Sequence, residues 1–188
     1  MSQEHNVGQL IELFNSEFEG DSRTQLIGNG EEPLYEPAND NQSGSFNRIT
    51  FTRDYFSSAL HEVAHWCIAG PDRRKQVDYG YWYAPDGRNE EQQRLFEAVE
   101  VKPQALEWIF STAAGIPFKV SADNLNADSP ISNSFKKSIH QQVKRYCKDG
   151  LPSRAERFAN ILNDHFLKET KSVVKDPLNV DHYKLRDL

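Results

Sequence analysis

The amino-acid sequence predicts an α+β protein in which a small, mostly antiparallel sheet is packed with helices. Three observations carry that expectation. Apolar residues recur at helical spacing in several separate stretches. Three short runs between residues 24 and 52 have strand composition and are bounded by Gly, Asn and Pro. Residues 56–70, FSSALHEVAHWCIAG, read as a helix with the pattern His-Glu-x-x-His at its centre.

At 188 residues and a net charge of −6, the chain reads as a single domain with a substantial core. Residues 168–188 are charged and patternless and are expected to form a loosely held tail. No repeat or low-complexity block appears. The acidic balance argues against nonspecific nucleic-acid binding. No apolar run reaches the length of a membrane span, and MSQEHNVGQL lacks a basic region followed by an apolar one, so neither a membrane anchor nor an export signal is expected. Cys67 and Cys147 are too few for a disulfide framework, so both are expected to be reduced in a cytoplasmic protein; without a Cys-x-x-Cys pair, a zinc ribbon is excluded.

Val7, Leu10, Ile11, Phe14 and Phe18 share one stripe, so an amphipathic helix opens the chain and ends near Gly20. Strands follow at 24–27, 33–36 and 48–52, with a polar loop at 38–45. The last strand, RITFT, alternates best and feeds directly into the helix at 56–70. Arg73, Arg74 and Lys75 read as a solvated basic turn. Residues 77–83, VDYGYWY, read as a strand, with Tyr79, Tyr81, Trp82 and Tyr83 either ordinary core and edge residues or a wall of the site. Asn89 caps a long helix, with Glu90 and Glu91 in the first turn, where the dipole favours them. That helix runs to Gly115, with a kink or break at Pro103, which removes the bond to the Val99 carbonyl. Leu95, Phe96, Val99, Leu106 and Phe110 form its buried stripe. Residues 118–121 read as a further strand and 122–130 as a loop. A helix at 133–148 turns Phe135, Ile139, Val143 and Tyr146 inward. Ser153 and Glu156 form the capping box of a last helix, running through Phe158, Ile161, Leu162 and Phe166.

The chemistry centres on 56–70. His61 and His65 stand about 40° from alignment and roughly 6 Å apart along the axis, so two imidazoles can address one cation, with Glu62 on the flank. Phe56, Ala59, Leu60, Val63 and Cys67 form an apolar seam nearly opposite, and Ala64 and Ile68 flank the histidines. A helix so apolar is buried on most of its circumference. The histidines therefore face a second protein layer, which must carry the remaining ligands. Gly70 suits the left-handed C′ position, and Pro71 cannot continue the helix. On the helix beginning at Asn89, Glu100 borders the buried stripe and is the better third ligand. Glu97, about 60° further out, is the fallback or a group supporting the ligands.

Two histidines and a glutamate support two different reactions. In a zincin-like hydrolase, the metal holds water in a fourth place and Glu62 takes its proton for attack on a peptide carbonyl. With iron, the same ligands occupy one face of an octahedron and leave positions open for dioxygen. The motif alone favours the zinc hydrolase. A metal-stabilised binding module without chemistry is a third possibility, which a site closed by four protein ligands would favour.

The run ALHEVAHWCIAGPDRRKQVDYGYWYAPDGR, followed by FEAVEVKPQALEW and GIPFKVSADNL, resembles the bacterial elongation factor P hydroxylase family. The resemblance extends from about Leu10 to Phe158 and is strongest from Ser58 to Leu125. It implies an oxygen-dependent protein-lysine hydroxylase with a non-haem Fe(2+) site, in which another divalent metal such as zinc can stand, and dioxygen as cosubstrate. It implies as partner elongation factor P carrying β-lysyl-lysine, and metal ligands at His61, His65 and Glu100, the three that helical geometry selects. Glu62 then becomes a catalytic group that orients a ligand or moves protons. No His-x-Asp pattern points to 2-oxoglutarate. A long side chain bearing ammonium groups calls for acidic or aromatic contacts. Asp78, Tyr79, Trp82, Tyr83 and Asp86, between the two ligand helices, suit that role.

Overall fold

The computed structural model describes residues 6–39, 41–78, 88–121, 131–170 and 176–188, with the side chains of 167–170 outside that description. Among the described residues the fold is α+β, with five α-helices and a three-stranded mixed sheet. The chain forms two compact units, Met1–Gly80 and Tyr81–Leu188.

In the first unit, helix α1 spans Val7–Ser22 and is capped by the Asn6 side chain, which accepts the Gly8 N–H at 2.7 Å. Its buried face is Leu10, Phe14 and Phe18. Strands β1 (Thr24–Gly30), β2 (Leu34–Glu36) and β3 (Asn47–Thr52) follow. The order in the sheet is β1-β3-β2. Strand β1 runs parallel to β3 with Leu26 opposite Ile49, and β2 runs antiparallel to β3 with Tyr35 opposite Ile49. The sheet is thus mixed rather than mostly antiparallel. Consecutive strands usually pair as neighbours, but here β1 skips β2. Residues 31–46 carry the chain back to the starting end of β1, and strand composition holds no information about that return.

Helix α2 spans Phe56–Ile68 and packs on β3. Ala59, Leu60, Val63, Ala64, Trp66 and Cys67 are buried; the predicted seam holds except at Phe56, which is only half-buried, and Ala64 and Trp66 join it. The Trp66 ring meets Phe14 and Phe18 edge-on, with centroids 5.4 and 5.0 Å away. Leu26, Ile49 and Phe51 complete this core. Gly70 does not take the left-handed conformation expected of it. An extended Ala69 (φ −62°, ψ 124°) ends the helix, and the Arg74 guanidinium donates to the Ala69 carbonyl, giving the carbonyl at this helix end a side-chain donor. Of the strand expected at 77–83, Asp78 forms a single antiparallel bridge with Tyr35; residues 79–83 lie outside the described residues.

In the second unit, helix α3 spans Glu90–Ala114, opened by a capping box of Asn89 and Gln92 and closed by a left-handed Gly115 (φ 74°). It passes through Pro103 without a break, so of the two outcomes expected at that proline the helix does not stop there. A proline in a helix interior costs about 3 kcal/mol. Against that, Leu106, Ile109 and Phe110 just beyond it are fully buried, each worth about 1.5–3 kcal/mol. The buried arc also differs from the predicted stripe. Phe96, Leu106 and Phe110 are inside, but Leu95 and Val99 are 61 % and 47 % exposed. The arc runs instead through Glu100, Pro103, Gln104 and Glu107, three polar positions and a proline that a search for apolar periodicity passes over.

Helices α4 (Asn133–Asp149) and α5 (Ser153–Thr170) pack against α3. Phe135, Ile139, Val143 and Tyr146 are buried as predicted, and Phe158 of α5 meets Phe110 edge-on at 4.9 Å. Ser153 is the first residue of α5, and the Glu156 N–H donates to the Pro152 carbonyl. Residues 118–121 do not form the predicted strand. The backbone N–H and carbonyl of Ser121 pair instead with the side chain of Gln104. Nor are residues 176–188 loosely held as expected of the tail. Tyr183 is 1 % exposed, stands edge-on to Trp108 at 5.2 Å, donates its hydroxyl to the Pro177 carbonyl, and lends its own carbonyl to His140. One aromatic side chain anchors a segment whose charge suggests disorder. Among the described residues no helix is long and apolar enough to cross a membrane.

Candidate metal centre

The first unit places two imidazoles together. His61 and His65, one turn apart on α2, bring their Nε2 atoms to 3.1 Å, with ring centroids 4.7 Å apart and planes inclined by 69°. Both rings are half-buried. Nitrogens so placed can share a proton or a metal ion. Two nitrogens about 2.1 Å from one divalent ion lie about 3.0 Å apart at a right angle and about 3.4 Å apart at the tetrahedral angle. The observed separation falls between these, so the pair fits either coordination.

Behind His65, on the side of α2 facing the sheet, lies a pocket of about 40 Å³, room for a few water molecules. Glu62 and His65 open onto it, with Tyr35, Arg73, Arg74 and Asp78 around them. Arg73 donates through Nε and Nη2 to Asp78 Oδ2 at 2.8 and 2.7 Å. The Tyr35 hydroxyl donates to the Arg74 carbonyl at 2.9 Å. The expected substrate contact Asp78 therefore shares its charge with a guanidinium. Arg73 and Arg74, read from sequence as a solvated turn, form the pocket wall. Their residue types carry no signal of this, because it depends on the fold-back of 73–78 against β2.

The second unit holds both candidate carboxylates. Glu100 is only 3 % exposed, and an ionised side chain so buried needs strong partners. Gln104 Nε2 approaches its Oε2 at 3.4 Å. Glu97 is half-buried and accepts the Ser132 hydroxyl at 2.9 Å, while Ser132 Oγ accepts the Phe135 N–H as the cap of α4. The fallback ligand thus braces the start of α4. The other expected substrate residues, Tyr79, Trp82, Tyr83 and Asp86, lie outside the described residues.

Residues 13–176 match the family model described as elongation factor P hydroxylase. The chain belongs to this family. It is 53 % identical over 159 residues to the elongation factor P lysine hydroxylase of Haemophilus influenzae, covering 85 % of this chain and 88 % of that protein. The matched range contains His61, His65, Glu97 and Glu100 and the pocket wall at 73–78. Gln104, also within it, was missed by sequence reasoning. The available signal was its polarity one turn beyond Glu100, on an arc that continues into the core.

Proposed function

We propose that this protein hydroxylates the β-lysylated lysine of elongation factor P in an oxygen-dependent reaction, at a non-haem iron centre held by His61, His65 and Glu100. The observation that carries the reading is membership of the hydroxylase family over residues 13–176. The converging imidazoles and the buried Glu100 carboxylate support it, being the two-nitrogen, one-carboxylate donor set that suits ferrous iron. The two units then act as one catalytic domain, and a translation factor as substrate sets that domain in the cytoplasm.

Ferrous iron, when bound, supplies the activation of dioxygen and the oxidation of an unactivated C–H bond, which no side chain can perform. The chain's own residues do the rest. His61 and His65 offer neutral nitrogen lone pairs, and Glu100 offers one negative charge. Glu62, open to the pocket beside His65, orients a neighbouring group or passes protons to it. Asp78, Tyr79, Trp82, Tyr83 and Asp86 are the acidic and aromatic residues that present the modified lysine.

The test is the intact mass of β-lysylated elongation factor P after incubation with the iron-loaded protein and a two-electron reductant, in air and without oxygen. A gain of one oxygen atom in air alone is expected. An unchanged mass in air, with the protein fully loaded with iron, rules the activity out.

A further inference from the structure

We propose that Gln104 is a positioning residue for the carboxylate of Glu100, an inference that rests on reading Glu100 as a metal ligand. The last torsion of a glutamate is soft and roughly two-fold, so a glutamate alone does not hold its oxygens in one orientation. Gln104 lies four residues further along α3, on the same face, and is 1 % exposed. Its Oε1 accepts the Ser121 N–H at 3.1 Å, and its Nε2 donates to the Ser121 carbonyl at 2.7 Å. These two bonds decide which end of the amide is nitrogen. Turned over, the amide would set oxygen against a carbonyl and NH2 against an N–H.

An amide nitrogen has two protons, and the Ser121 carbonyl takes one. The other is then directed at Glu100 Oε2, 3.4 Å away. A donor fixed from the backbone of a separate segment thus sets the rotation of the carboxylate before any ion arrives. Partners standing behind metal ligands in this way commonly contribute 10–100-fold in affinity. A purely structural alternative exists, because the Ser121 bonds also tie residues 118–121 to α3, and the test must separate the two roles.

Cobalt(II) binding to the metal-free full chain, followed by cobalt absorption, separates them in a double-mutant cycle. Gln104→Leu is expected to weaken cobalt binding about 10-fold or more, and Glu100→Gln to weaken it at least as much. In the Glu100→Gln background, Gln104→Leu should cause no further loss, because no carboxylate remains to be oriented. Equal losses in both backgrounds, or none from Gln104→Leu in the wild type, overturn the proposal while leaving Glu100 as a ligand. Wild-type affinity in Glu100→Gln overturns both readings. If the Leu variant does not fold, the nearly isosteric Gln104→Met completes the same cycle.

Discussion

The Nε2 atoms of His61 and His65 lie 3.1 Å apart, one turn along α2. Neither ring alone would hold a divalent ion firmly; the value of the pair is that both lone pairs converge on one point. His61→Ala and His65→Ala should each lower metal affinity by more than about 100-fold, exceeding the loss expected for a supporting residue. Metal analysis after dialysis and calorimetric titration measure this. Wild-type metal content in either variant would remove that histidine from the ligand set.

Glu62 separates the hydroxylase from a zincin-like zinc peptidase. A peptidase needs a carboxylate base at this position, so Glu62→Gln would abolish cleavage. A hydroxylase variant should retain its metal and a reduced rate of oxygen insertion, because the oxidation belongs to the metal. Intact-mass turnover and a peptide-cleavage assay on the same preparation discriminate. Cleavage by the wild-type protein that vanishes in Glu62→Gln would establish the peptidase.

Asp78 and Trp82 test the presentation of the lysine. Asp78→Ala and Trp82→Ala should raise KM for modified elongation factor P by about 10-fold, the worth of one lost polar or cation–π contact, with metal content unchanged. Asp78→Ala also releases Arg73, its partner at 2.7 Å. Arg73→Ala, measured beside it, shows how much of the effect belongs to that ion pair. Unaltered kinetics in both Asp78→Ala and Trp82→Ala would dismiss that role.

Tyr183 gives a stability prediction with a definite pH window. Burial, the largest cause, raises the pKa of its hydroxyl above the ordinary tyrosine value. The folded state therefore holds that proton more tightly than the unfolded chain does. The linked stability is complete below about pH 10, the unfolded value, and is lost as pH rises beyond it. Tyr183→Phe should cost about 1 kcal/mol near neutrality, for the lost bond to the Pro177 carbonyl, and should flatten the alkaline decline. Denaturant unfolding at pH 7 and above pH 10 checks both. An equally steep decline in Tyr183→Phe would assign it to other groups.

Local periodicity, which consecutive residues carry by themselves, determined much of this protein. The stripes Leu10–Phe14–Phe18 and Phe135–Ile139–Val143, and the placing of His61 and His65 on one side of a helix, follow from 3.6 residues per turn. Tertiary structure alone decided what depends on residues far apart in the chain. β1 pairs parallel with β3, α3 continues through Pro103, Arg73 and Arg74 wall a pocket beside His65, and Ser121 clamps Gln104. Tyr183 holds a charged tail. Each of these trades a local preference against burial or hydrogen bonding gained from a distant segment, and that free energy exists only once the segments have met.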